Sequence, residues 1–140
     1  MLTPEQFNQR GADKLPGHLG IVIAQGSAAS EVRAELRVTN ALMAPNGFLH
    51  AASVIAIADT AAGYGSIANL PAGATGFTTI ELKSNHLGTA LEGTIECVAK
   101  PVHLGKTTQV WDAVVTHRES GRTIALFRCT QMVLYPKQGS

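Results

Sequence analysis

One charged side chain, the carboxylate of Asp59, occurs in residues 38–80. Within this segment, the run from His50 to Tyr64 is rich in alanine and isoleucine, and its length favours a helix over a strand. Apolar residues cover nearly the whole circumference of that helix, which predicts that it is buried. The glycines and the proline of residues 63–76 are predicted to end it. The rest of the chain must then supply a layer that surrounds one central helix.

The other elements are predicted mainly as strands. Residues 31–39 alternate apolar and charged side chains, which is typical of a half-buried antiparallel strand. Four more strands are predicted at 76–87, 91–104, 106–117 and 122–135, with HLGK and ESGR at tight hairpin connections. A short first helix is predicted to begin after a capping Thr3, and GIVIAQGS to form a strand that ends in a turn. This order predicts an α+β fold in which an antiparallel sheet wraps around the helix.

Composition narrows the class of protein. The 140 residues suit one domain, and 45% hydrophobic residues supply its core. A formal net charge of +1 gives no support to a nucleic-acid-binding surface or a polybasic membrane patch. Cys97 and Cys129 lack a CxxC spacing and are predicted to be buried free thiols in a reducing compartment, not metal ligands. Without an apolar signal core or an apolar run of ~18 residues, a cytoplasmic location is expected.

The lone acid has two interpretations. An ionised carboxylate in an apolar helix is costly unless it is paired or partly solvated, and no cation lies within one helical turn of Asp59. Asp59 either accepts local hydrogen bonds or points to solvent, or it is a functional group whose pKa is raised by burial. The sequence alone leaves both open.

Helical geometry separates Asp59 from His50. Nine positions at ~100° per residue place the two on nearly opposite faces, ~13 Å apart along the helix axis. Two antiparallel copies of the helix across a two-fold axis would bring the start of one helix near the middle of the other. The amides of Ala51 and Ala52 would then point from a helix N-terminus at a neighbouring site, where they can polarise a carbonyl. The alternative for His50 is a capping or packing role.

Three segments carry a family resemblance: NGFLHAASVIAIADTAAGYGS, TTIELKSNHLGTALEGTI and VHLGKTTQVWDAVV. They resemble the hotdog-fold acyl-CoA thioesterases, in the branch of the PaaI-like (phenylacetic acid degradation) and 4-hydroxybenzoyl-CoA thioesterases. The resemblance covers about residues 15–135 of a single domain, 1–140. It implies subunits that pair through their sheets and commonly form tetramers. It also implies hydrolysis of a small or aromatic acyl-CoA at the dimer interface, with coenzyme A as part of the substrate and neither a further cofactor nor a metal.

The resemblance assigns the catalytic groups. Asp59 matches the family's acid, nine residues after the motif histidine, which serves as nucleophile or general base in thioester hydrolysis. The amide of Ala51 would polarise the thioester carbonyl from the other subunit, beside His50. Thr79 matches a serine or threonine that some members use in the strand after the helix.

Three departures from the family pattern weaken this assignment. HAA stands where His-Gly-Gly is usual, Ala44 stands where many relatives have Gln or Asn, and Gly63 stands where some have Ser or Thr. The residues expected to contact the substrate are Asn46, Gly47, Gly63, Asn85 and His86. Those expected to contact coenzyme A phosphates lie in or beside the two hairpin turns, namely Gly105, Lys106, Thr107, Arg118 and Arg122.

Two other functions stay open on the same fold. A hotdog hydratase or dehydratase would pair a histidine with an acid, as His50 and Asp59 could. A non-catalytic acyl-CoA-binding module would tolerate the departures at Ala44, HAA and Gly63.

Overall fold

A six-stranded antiparallel sheet and one long helix form the body of the fold in the computed structural model, which describes residues 2–137. The helices are α1 (Pro4–Gly11), α2 (Leu15–Leu19) and α3 (Ala51–Ala68), with a 3₁₀ turn at Asn40–Leu42. The strands are β1 (Val22–Ile23), β2 (Val32–Arg37), β3 (Gly76–His86), β4 (Thr94–Leu104), β5 (Thr108–His117) and β6 (Thr123–Leu134). They are ordered β1-β2-β4-β5-β6-β3 across the sheet. The predicted α+β hotdog architecture is confirmed.

The core lies between α3 and one face of the sheet. Strand residues alternate between this inner face and solvent, as the sequence of β2 predicts, because successive side chains point to opposite faces. Trp111 and Ile95 on the sheet and Ile57 on the helix are all fully buried there. The inner face of the sheet therefore supplies the layer that the apolar helix requires.

The central helix is longer than the sequence predicts. It continues past Tyr64 to Ala68, and Gly63 and Gly65 lie inside it. A Cβ on Gly65 would lie 2.3 Å from Cη2 of Trp111, and one on Gly63 would lie 3.2 Å from Cζ of Phe77. These glycines do not break the helix, because close packing on the aromatic rings offsets the ~1 kcal/mol by which glycine disfavours a helix.

With this added turn, helix α3 is 18 residues long and has a mean hydropathy of 1.2. By length and composition alone, such a helix could cross a membrane. The prediction that no segment reaches this length was wrong, because it ended the helix too early. In this fold α3 is the core helix, with nine of its residues buried.

The N-terminal segment closes one edge of the sheet. The capping box predicted at Thr3 is confirmed, since its side chain accepts from the Gln6 amide at 3.2 Å and its amide donates to the Gln6 side chain at 2.9 Å. The Asn8 side chain accepts from the Ile23 amide at 2.8 Å and donates to the Ile23 carbonyl at 3.1 Å. Asn8 thereby pairs with β1 much as another strand would.

Two elements here differ from the prediction. The strand expected over GIVIAQGS is only two residues long, and the five-residue α2 before it was not predicted. Short elements of this kind carry little periodicity, so tertiary contacts decide them.

The contact between Gly65 and Trp111 gives the first prediction. We expect Gly65→Ala to lower the free energy of unfolding by about 1–3 kcal/mol, because the methyl group would overlap a fully buried indole ring. Urea denaturation measures the loss. Gly76→Ala is the control, since a Cβ there meets open space. Equal stabilities of the two variants would contradict the packing role of Gly65.

Candidate active site

The N-terminus of α3 presents one free amide. His50 is the N-cap residue, and its Nδ1 accepts a hydrogen bond from the Ala52 amide at 3.0 Å. The Ala51 amide makes no hydrogen bond within the described residues 2–137, as expected in the first turn of a helix. The structure therefore narrows the predicted pair of amides to Ala51, and it shows His50 in the capping role that the sequence left open.

The turn before α3 uses two of the residues predicted to contact substrate. The Asn46 side chain accepts from the Phe48 amide at 3.2 Å, and Gly47 has a φ of +89°, which favours glycine. The Leu49 amide then donates to the Thr89 hydroxyl at 3.2 Å. Asn46 and Gly47 thus shape the entry to the helix, and their contact with substrate stays a prediction.

Asp59 has the environment expected of a functional acid. It is half-buried, and its Oδ1 is buried without a hydrogen-bond partner among residues 2–137. Burial raises the pKa of this carboxyl above its ordinary value. The alternative, in which local hydrogen bonds satisfy the carboxylate, does not account for the burial of Oδ1 without a partner among these residues.

The inner face of β6 lies close to this acid. Burial, and next the charge of Asp59, raise the pKa of the Cys129 thiol to about 12. Burial also raises the pKa of Cys97 to about 12. Both are buried free thiols, as predicted. They stay protonated at neutral pH, so neither is an activated nucleophile.

Thr79 lies on the same face of the sheet. It is exposed on the edge strand β3 and lies directly opposite Gln131 of β6, with a register shift between Thr79 and Glu81. Partners in an antiparallel pair point to the same face, and Gln131 belongs to the buried face. The fold therefore turns Thr79 toward the helix side, where Asp59 also lies.

Two residues predicted to contact substrate diverge from each other on β3. Asn85 lies opposite Leu126, on the outer face, where it lines a depression of about 350 Å³ with Lys83 and Arg128. His86 lies opposite the buried Ala125 and so faces the helix side. The structure does not bring Asn85 to the face that carries Asp59.

Gly63, one helical turn after Asp59, is buried against Phe77. A serine or threonine at this position would require Phe77 to move. The departure from the family pattern at Gly63 therefore has a packing reason in this chain.

The candidate coenzyme A residues form two separate groups. Gly105, Lys106 and Thr107 lie at one end of β5, and Arg118 and Arg122 lie at the other, roughly 30 Å away at ~3.3 Å per residue. Arg118 is already bound to Glu96 and, at 2.6 Å, to Glu35. One coenzyme A phosphate cannot contact both groups of the same chain.

Gln131 was missed by the sequence analysis. It is fully buried, and neither polar atom of its side chain has a hydrogen-bond partner in the described part of the chain. The alternation along β6 was the available signal, because it places this amide at an inward position.

The environment of Asp59 predicts a pH-dependent stability. The folded protein binds the Asp59 proton more tightly than the unfolded chain, so this group lowers stability as pH rises from its ordinary pKa through the raised one. Asp59→Asn removes that penalty. We expect the stability of the variant minus that of the parent to grow with pH over this window, as measured by urea denaturation. A difference that does not change with pH would contradict the burial of the charge.

The comparisons with known proteins agree with this geometry. The model of the thioesterase superfamily matches residues 46–125, a span that includes α3 and most of the sheet. The 1,4-dihydroxy-2-naphthoyl-CoA hydrolase of Listeria monocytogenes (strain 10403S) is 31% identical over 96 residues, which cover 69% of this chain and 76% of that protein. The Escherichia coli (strain K12) protein of the same name is 29% identical over 135 residues, which cover 95% and 96%.

A crystal structure shows the same fold. A thioesterase from Haemophilus influenzae superposes with a TM-score of 0.89 and 27% identity, covering 96% of this chain and 92% of that one. The chain therefore belongs to the thioesterase superfamily, and it is a hotdog-fold thioester hydrolase.

Proposed function

We propose that the protein hydrolyses a small or aromatic acyl-CoA thioester at a site that two subunits share. The observation that carries this proposal is a pair of groups, a buried carboxylate oxygen of Asp59 and the Ala51 amide, neither of which has a hydrogen-bond partner within residues 2–137. Eight residues of one helix separate them by ~12 Å along its axis, too far to act on one carbonyl. Two antiparallel copies of α3 would bring the amide of one chain to the acid of the other.

The open edge of the sheet supports such a pairing. β3 is the terminal strand and pairs on one side only, with β6. It is eleven residues long, mostly exposed, and carries the exposed apolar side chains of Ile80 and Leu82. A long, exposed edge strand offers a row of backbone N–H and C=O groups as a template for a second strand, and an equivalent β3 across a two-fold axis is the simplest partner.

The chemistry follows from these two groups. Asp59 accepts a proton from water, the water oxygen adds to the thioester carbon, and the Ala51 amide of the partner stabilises the developing oxyanion. When the tetrahedral intermediate collapses, the carbon–sulfur bond breaks, and the proton held by Asp59 passes to the leaving thiolate. The raised pKa makes the Asp59 carboxylate a stronger base than an exposed aspartate. Direct attack by the carboxylate, through an anhydride, is the alternative route.

The names of the relatives support an aromatic acyl group. Two of them are named 1,4-dihydroxy-2-naphthoyl-CoA hydrolases, which act on a bicyclic hydroxylated acyl group. A panel of aromatic, short-chain, medium-chain and hydroxylated acyl-CoA substrates, followed by release of free thiol, tests the assignment. Hydration of the acyl group would release no thiol, and a binding module would turn over nothing.

A pair of complementary variants tests the shared site. Asp59→Asn removes the base, and Ala51→Pro removes the amide at the first helical position, where proline is well tolerated. His50 already has the extended conformation (φ −65°, ψ 134°) that a following proline requires. We expect each variant alone to lose about 10²-fold or more in kcat.

Mixed dimers then distinguish a shared site from one within a single chain. Refolding the two variants together should restore roughly a quarter of the parent's sites, because half of randomly paired dimers are mixed and each has one intact site. Thiol release from the mixture measures the recovery, and thermal unfolding checks that both variants fold. Absence of recovery from folded, mixed dimers would contradict a site shared between subunits.

The β4–β5 hairpin is proposed to contact the nucleotide end of coenzyme A. Lys106 is exposed at this turn and forms no ion pair among residues 2–137, whereas Arg118 is held by two carboxylates. We expect Lys106→Ala to raise KM for an acyl-CoA several-fold and to leave KM for the corresponding acyl-pantetheine, which lacks the nucleotide, unchanged. Steady-state kinetics with both substrates measure this. An equal rise with both would contradict the contact.

A further inference from the structure

Gln131 is a polar side chain with an unexplained position. It lies on the inner face of β6 and is fully buried, yet both its amide nitrogen and its amide oxygen lack a hydrogen-bond partner among residues 2–137. Burying an amide without a hydrogen-bond partner destabilises a fold, because the group loses its bonds to water and gains none. Such a group in a folded protein calls for an explanation, and functional use is one.

A second buried glutamine shows that the fold can satisfy an amide in this layer. Gln109 lies directly opposite Gln131 on β5 and is equally buried. Its oxygen accepts from Trp111 Nε1 at 2.8 Å, and its nitrogen donates to the Asn69 carbonyl at 3.1 Å. The two glutamines therefore differ in their surroundings, and Gln131 is the one whose strand also pairs with β3.

The other neighbour of Gln131 is Thr79. The two are register partners on β6 and β3, so their side chains share a face with Cβ atoms ~4.5–5.5 Å apart. Asp59 belongs to the same region, because Gly63, one helical turn after it, packs against Phe77, which lies two residues before Thr79 on β3. A glutamine amide with free donors thus lies beside a hydroxyl group and near an unpartnered carboxylate oxygen.

We propose that Gln131 is a positioning residue that orients the Thr79 hydroxyl toward the water that attacks the thioester. When substrate and water occupy the site, the Gln131 amide nitrogen donates to Thr79 Oγ1. The Thr79 hydroxyl then donates to the water oxygen, and the water donates one hydrogen to Asp59. The remaining lone pair of the water faces the carbonyl carbon. Gln131 itself forms only hydrogen bonds and takes no part in the covalent steps.

This inference rests on the proposed hydrolase activity and makes two distinct claims. Without substrate, the Gln131 amide is an unpaired buried group, so its removal should stabilise the protein. With substrate, its removal should slow the chemical step through Thr79 and leave substrate binding intact. A purely structural glutamine would show the opposite effect on stability and none on kcat.

The experiment compares four variants of the full chain: Gln131→Met, Thr79→Val, the double variant and Gln109→Met. We expect Gln131→Met to raise the urea midpoint of the ligand-free protein, and the matched Gln109→Met to lower it. With an acyl-CoA that the parent hydrolyses, Gln131→Met should lower kcat roughly ten- to a hundredfold at unchanged KM. The double variant should be no slower than Thr79→Val alone, because Gln131 acts through Thr79.

Several results would overturn the proposal. One is a kcat equal to that of the parent in Gln131→Met or in Thr79→Val. Another is a double variant in which the two losses of kcat multiply. A third is a urea midpoint of Gln131→Met below that of the parent. If Gln131→Met does not fold, Gln131→Leu replaces it in the stability and kinetic measurements. A parent that releases no thiol from any substrate would refute the proposed hydrolysis itself, whereas an active parent with an unaffected Gln131→Met refutes only the role of Gln131.

Discussion

The close approach of α3 to the sheet is the constraint on which the rest of the structure depends. Gly65 lies against the indole ring of Trp111, and Gly63 lies against Phe77. These contacts fix the distance of α3 from the sheet and its rotation about its own axis, because protein interiors are close-packed and rigid. The direction in which Asp59 points, one turn before Gly63, is set by this contact. The geometry of the candidate site around Asp59 is thus a consequence of core packing.

The same packing also sets the chemical properties of the Asp59 carboxyl group. The same apolar surroundings that stabilise α3 raise the pKa of Asp59 and leave its Oδ1 without a hydrogen-bond partner among residues 2–137. The fold therefore accepts a local loss of stability at the residue proposed as the general base. Gln131 on β6 is likewise buried without a hydrogen-bond partner among residues 2–137, whereas Gln109, its register partner on β5, is satisfied.

Two of the three departures from the family pattern, HAA and Gly63, have a structural reason. At Ala51 the proposed reaction uses only the amide, and the first turn of a helix leaves that amide without an intrahelical partner whether the residue is glycine or alanine. His50 occupies the neighbouring amide of Ala52, which leaves one donor at the helix start. Gly63 fits because Phe77 fills the space that a larger side chain would take. The unusual residues are compatible with the proposed reaction.

The sequence by itself determined the α+β class, the long strands and their hairpins, the buried helix and the isolation of Asp59. These follow from periodicity and from the distribution of charge, which are local properties. Tertiary structure decided the end of α3, since only contact with Trp111 shows why two glycines stay helical. It also decided which face Thr79 and Asn85 occupy. Strand register and the shift after Thr79 arise from pairing between distant segments, which no local pattern encodes.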